Sequence, residues 1–172
     1  MRKQIITTLL LLIASVATFA QSGKQKQADK ATEEWRYEIE CAGVGTDGTY
    51  LIKVWSYSKK PIIAITQAKK NAVHGIIFKG FSGDGRGCTS QKPMATNTNI
   101  EAEKADFFDL FFEDGGKYMK FVSESSDGNV DASDRMKVGK EYKIGVIVSV
   151  SKDALRRDLE AAGIIRGLSS GF

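Results

Sequence analysis

The stretch from Tyr142 to Val150 constrains this chain most, because Tyr142, Ile144, Val146, Val148 and Val150 alternate with Lys143, Gly145, Ile147 and Ser149. Successive strand side chains point to opposite sides, so an apolar residue at every second position puts one whole face against a core. Such a strand needs neighbours for its backbone groups and a covering layer for its apolar face.

The neighbours come early in the chain. Trp35, Tyr37, Ile39 and Cys41 alternate with Arg36, Glu38 and Glu40, and Thr49 to Tyr57 follows with Tyr50, Ile52, Val54 and Trp55. The two predict a hairpin across the Gly43 to Gly48 turn, and Tyr118 to Val122 reads as a further strand. The cover comes from a helix that opens at Pro61 and stops at Gly80. On it Ile62, Ile65, Ala72, Val73, Ile76 and Ile77 share one arc, and Gln67, Asn71 and His74 take the opposite, polar one. Lys69 interrupts the apolar arc; the expectation is that its stem packs while its ammonium reaches water.

Glu101 to Phe112 predicts a short helix carrying Ala105, Phe108, Phe111 and Phe112 on one arc. Ser151 can cap a last helix with Leu155, Leu159 and Ala162 on its stripe, ending at Gly163, before a tail from Ile164 to Phe172. Ser82 to Asn99, rich in glycine and small polar residues, and the acidic Ser123 to Asp134 read as loops. The expected fold class is α+β, an antiparallel sheet of about four strands with helices packed on one face.

Ahead of this domain, Arg2 and Lys3 precede the apolar run Ile5 to Val16, and Thr18, Phe19 and Ala20 precede Gln21. That is the layout of a cleaved signal peptide over residues 1 to 20. Its 16 residues from Ile5 to Ala20 fall short of the roughly 20 that span a bilayer. The alternative is an uncleaved anchor. Gln21 to Glu34 lacks apolar periodicity and reads as a flexible leader, so residues 35 to 172 form the expected single domain. The expected destination is the periplasm or the outside of the cell, with no integral membrane segment after cleavage.

Losing Arg2 and Lys3 lowers the formal charge by two, from +4 to +2. The basic pairs Lys59-Lys60, Lys69-Lys70 and Arg156-Arg157 are isolated, so no nucleic-acid partner is expected. Cys41 and Cys88 are the only cysteines. An oxidising compartment permits a disulfide between them; the other reading is a buried Cys41 on its strand and a free Cys88 in its loop.

Several motifs dissolve in context. Gly43-Val44-Gly45-Thr46-Asp47-Gly48 spells a dinucleotide fingerprint, but a strand follows where the fingerprint needs a helix, so it reads as a hairpin turn. Gly80, Gly83, Gly85 and Gly87 lack the Gly-Lys-Ser/Thr ending of a phosphate loop. Asp127, Asn129, Asp131 and Asp134 have calcium-loop spacing, yet Ala132 and Val138 stand where the EF-hand glycine and glutamate belong. His74 is the only histidine, too few for an ordinary zinc site, and no nucleophile elbow accompanies it. The carboxylate pairs Glu38/Glu40 and Asp106/Asp109 are of a kind common on surfaces. No metal, cofactor or catalytic residue is expected, and the chain reads as a non-enzyme.

The crowded aromatics of the first hairpin, Trp35, Tyr37, Trp55 and Tyr57, are the candidate partner or ligand surface. Ala64 to Ala72 (AITQAKKNA) and Tyr142 to Leu155 (YKIGVIVSVSKDAL) resemble small exported α+β domains of the flagellar-assembly FlgT N-terminal and envelope-lipoprotein type. The resemblance covers about half of the mature chain and departs from the lipoproteins in lacking a lipidated cysteine. It implies an accessory role in envelope assembly through a protein partner; the alternative is a module that binds glycan or peptidoglycan fragments.

Overall fold

The computed structural model describes residues 35–83, 88–113, 115–125 and 129–167. The segments expected as signal peptide and leader, together with Gly85, Gly87, Asp127 and the last five residues of the tail, lie outside the described residues.

The fold is α+β. Strands β1 (Tyr37–Gly43) and β2 (Tyr50–Ser58) form the expected hairpin. Helix α1 (Pro61–Phe78) follows, then the short helices α2 (Ile100–Glu103) and α3 (Ala105–Phe111). After them come a 3-10 turn (Lys117–Phe121), β3 (Val122–Glu124), β4 (Arg135–Val138), β5 (Glu141–Val150) and α4 (Lys152–Ala161). The antiparallel sheet runs β1-β2-β5, and the far side of β5 is shared: β3 pairs with its C-terminal half and β4 with its N-terminal half.

Strand alternation divides the sheet into two faces. Ile52 and Val54 of β2 and Ile144, Val146, Val148 and Val150 of β5 point inward and are 0–1% exposed. Helix α1 lies on them with Ala64, Ala68, Ala72, Val73, Ile76 and Ile77, while α4 adds Leu155 and Leu159 to the same core. Gly75 lets α1 approach β1 closely: a Cβ there would meet Ile39 Cδ1 at 2.0 Å.

The polar arc assigned to α1 is not solvated. Gln67, Asn71 and His74 are each 2% exposed, whereas Ile62 is 52% exposed. For Asn71 and His74, inward strand residues meet this arc: Asn71 Nδ2 donates to Ser56 Oγ at 2.8 Å, and the Tyr37 hydroxyl lies 2.6 Å from His74 Nδ1, while Gln67 Oε1 and Asn71 Oδ1 are buried without a hydrogen bond among the described residues. Hydrophobic periodicity cannot register a stripe that is buried by hydrogen bonding. Lys69, its side chain 29% exposed, also pairs with the half-buried Glu124 at 2.8 Å.

Three local readings also change. Residues 101–112 form two helices broken at Lys104 (φ −121°, ψ 34°). The strand expected over Tyr118 to Val122 is a 3-10 turn, in which Tyr118 and Phe121, three residues apart, are both buried. The hairpin partner β4 joins β5 through the two residues Gly139 and Lys140, with Gly139 at φ +62°.

The described part of the Ser82 to Asn99 loop is tied down. Cys41 and Cys88 form a disulfide with Cα atoms 6.0 Å apart, and Phe81 pairs with Gln91. Met94 and Ala95 donate their amides to Ile76 and Ile77, satisfying carbonyls at the end of α1. Gly80 makes this closure possible at φ +69°, where a Cβ would meet Gln91 O at 2.1 Å. Gly80→Ala is therefore expected to lower unfolding free energy by about 1–3 kcal/mol, measured by urea denaturation; an unchanged midpoint would refute the constraint.

Candidate functional site

The four aromatics nominated from the sequence do not share a face. Tyr37 points inward and is buried, and Trp35 precedes it on the helix side, stacked on the His74 ring at 3.4 Å between centroids. Trp55 and Tyr57, out of phase with the buried Ile52 and Val54, occupy the opposite face. Two candidate surfaces result.

On the face without helices, the Trp55 ring lies over Gly145, whose added Cβ would meet it at 2.9–3.0 Å. Trp55 Nε1 donates to Glu40 at 2.9 Å, and Tyr57 donates to Glu38 at 2.5 Å. Lys143 bonds Glu38 at 2.7 Å and sits 5.2 and 5.5 Å from the Trp55 and Tyr57 ring centroids. Arg36 lies over Tyr57 at 4.8 Å and pairs with Glu141. Bonds from Lys143 and Tyr57 hold Glu38 below the usual carboxylate range, and the bond to Glu38 raises Lys143. Glu38 and Glu40 thus brace two separate aromatic side chains and do not converge as an acid–base pair.

On the helix side, a polar chain runs through the core. The neutral His74 accepts from the Tyr37 hydroxyl at Nδ1 and donates from Nε2 to Glu101 Oε1 at 3.0 Å. Burial, with the Lys79 ammonium nearby, pushes His74 down to about 3. At pH 7 its contact with Glu101 is consequently a hydrogen bond between neutral ring and carboxylate. Burial raises Glu101 and Tyr37. Lys79 lies 3.9 Å from the Tyr37 ring centroid and donates to the Trp35 carbonyl at 3.1 Å. Trp35 itself has φ +45°, the only positive φ among the described non-glycine residues, a conformation that costs about 1–3 kcal/mol. Next to this assembly opens a cleft of about 720 Å3, bordered by Trp35, Phe108, Phe112, Glu101, Asp109 and Asn99.

The remaining sequence candidates resolve simply. Gly43 to Gly48 connects β1 to β2 as the expected hairpin turn, with Gly48 at φ +76°. Asp134 is buried in an ion pair with Lys53 at 2.9 Å. Among the described residues, no group of three or more histidine, cysteine or acidic side chains could hold a metal ion. The cluster around His74 escaped the sequence reading because Glu101 and Tyr37 come from distant elements; the aromatic-rich Phe107 to Phe112 segment was the one available signal of a second layer over α1.

No family model, curated protein or solved structure matches the chain.

The depressed His74 pKa fixes a pH dependence. The unfolded ring takes up a proton near its ordinary value of 6.5, whereas the folded ring resists until about pH 3. The unfolded state binds more protons in that window, so stability falls as pH drops from about 6.5 to 3, by up to ~1.4 kcal/mol per pH unit. Glu101, raised in the fold from its ordinary 4.5, offsets part of this loss as pH falls toward that value. His74→Gln should flatten the profile in urea titrations across this range; equal slopes in the two proteins would contradict the neutral buried imidazole.

Proposed function

We propose that this chain is an exported, non-enzymatic component of the cell envelope, an accessory or assembly factor that binds a protein partner through the helix-free face of its sheet. The observation that carries this reading is the braced pair Trp55 and Tyr57. Both rings are held by carboxylates beneath flanking lysine and arginine side chains, in the middle of a face that none of the described helices covers. Rigid aromatic side chains ringed by charge are the usual anchors of protein contacts, since little side-chain entropy is lost when they are covered.

Export is supported by the Cys41–Cys88 disulfide, a bond that persists in oxidising compartments. No described helix is long and apolar enough to cross a membrane. A non-catalytic role agrees with how the reactive side chains are used: His74 is locked between Tyr37 and Glu101, and both cysteines are bonded. The two segments that resemble flagellar-assembly and envelope-lipoprotein domains fall in α1 and across β5 into α4.

Crosslinking in the native envelope, then capture of the tagged chain and mass spectrometry, tests the proposal. The mature chain should begin at Gln21 and carry a stoichiometric protein partner. Trp55→Ala/Tyr57→Ala should weaken that partner by about 2 kcal/mol or more in a variant whose circular dichroism still shows the fold, at a lowered melting temperature. A folded double variant that keeps its partner would refute the surface, and recovery of the chain alone would refute the partner.

A further inference from the structure

We infer that the cleft between Trp35 and helices α2 and α3 is a saccharide-binding site for uncharged pyranose units. The site lies on the helix side of the sheet and is independent of the Trp55 surface.

The cleft measures about 720 Å3, within the roughly 300–1,000 Å3 of small-ligand sites. Its lining combines the two things a sugar ring asks for. The partly exposed Trp35 ring offers aromatic surface against which the C–H face of a pyranose packs, beside the buried Phe108 and Phe112. Asn99, Glu101 and Asp109 border the same space with amide and carboxylate groups. A carboxylate accepts from hydroxyls through two oxygens, and an amide both donates and accepts, so adjacent ring hydroxyls find matching partners.

Charge selects among sugars. Two carboxylates face the cleft against one ammonium, that of Lys70, which lies 5.7 Å from the ring of the buried Tyr118. The Lys79 ammonium is held at the Tyr37 ring and the Trp35 carbonyl. A uronate or sulfated sugar would bring its charge against Glu101 and Asp109.

The key groups are also held in place before any ligand arrives. His74 fixes the Glu101 carboxylate by a hydrogen bond and the Trp35 ring by stacking, so one buried side chain orients both. Trp35 keeps a left-handed backbone that only its surroundings can hold. Preorganisation of this kind reduces the ordering lost on binding.

The chain has two tryptophans, so Trp55→Phe leaves Trp35 as the only indole reporter. The purified variant is titrated with tetra-N-acetylchitotetraose, cellotetraose and a galacturonate oligomer. A saturable change in Trp35 emission is expected with at least one of the two neutral sugars and none with the galacturonate. Asn99→Ala/Asp109→Ala, at two exposed positions, should weaken binding at least about tenfold without lowering the melting temperature. Flat titrations with both neutral sugars overturn the site, as does a response that survives the double substitution. An equal response to the galacturonate overturns the charge selection. Because Trp55 lies on the other face, none of these results bears on capture of the protein partner.

Discussion

Everything else in the structure depends on helix α1 being buried on more than its apolar side. Ala64, Ala68, Ala72 and Gly75 keep the helix slim enough to sit close against the sheet. Gln67, Asn71 and His74 go into the interior with them. A buried polar group without a partner loses several kcal/mol of hydration, so the rotation of α1 about its axis is set by polar pairing as well as by apolar contact. Asn71 must find Ser56 on β2, and His74 must find both Tyr37 on β1 and Glu101 on α2. Three separately coded elements are fixed in register by one helix face.

That constraint explains which parts of the fold were legible. The β1-β2 hairpin, β5, α1 and α4 each carry their periodicity locally, and each formed close to its expected bounds. The disulfide was chemically open but undecided, because pairing depends on the 6.0 Å approach of two Cα atoms that are 47 residues apart in sequence. The buried status of His74 was illegible for a deeper reason: its neighbours arrive from β1 and α2, and a polar residue opposite an apolar arc looks solvated until its partners are known. β4 was missed although Met136 and Val138 alternate with Arg135 and Lys137 ahead of Gly139, since both apolar side chains remain exposed and give no core signal. The run from Tyr118 failed through competition, as Tyr118 and Phe121 bury together at the three-residue spacing of a 3-10 turn.

The same strand alternation that builds the core separates the aromatics of the first hairpin. Tyr37 and Trp55 belong to paired strands, but their phases send them to opposite faces. Gly145 shows how the outer face adapts: glycine normally weakens a strand, yet here it forms the seat for the Trp55 indole. Outer and inner aromatics are braced by different means. Trp55 and Tyr57 rely on carboxylates and exposed cations, which salt screens, whereas Trp35 rests on a buried imidazole that salt does not reach.

The Ser82 to Asn99 loop connects these observations, because it leads directly into α2 and therefore decides where Glu101 stands. Its described part is fastened at Cys88 to β1, at Gln91 to Phe81, and at Met94 and Ala95 to the end of α1. Gly80 reverses the chain so that all three attachments can form. Loop closure, not helix propensity, then delivers α2, whose four residues could not persist as a helix alone. The Tyr37–His74–Glu101 chain is completed at the far end of that loop. A glycine-rich segment that reads as a passive connector is thus the element that sets the geometry of the cleft beside Trp35.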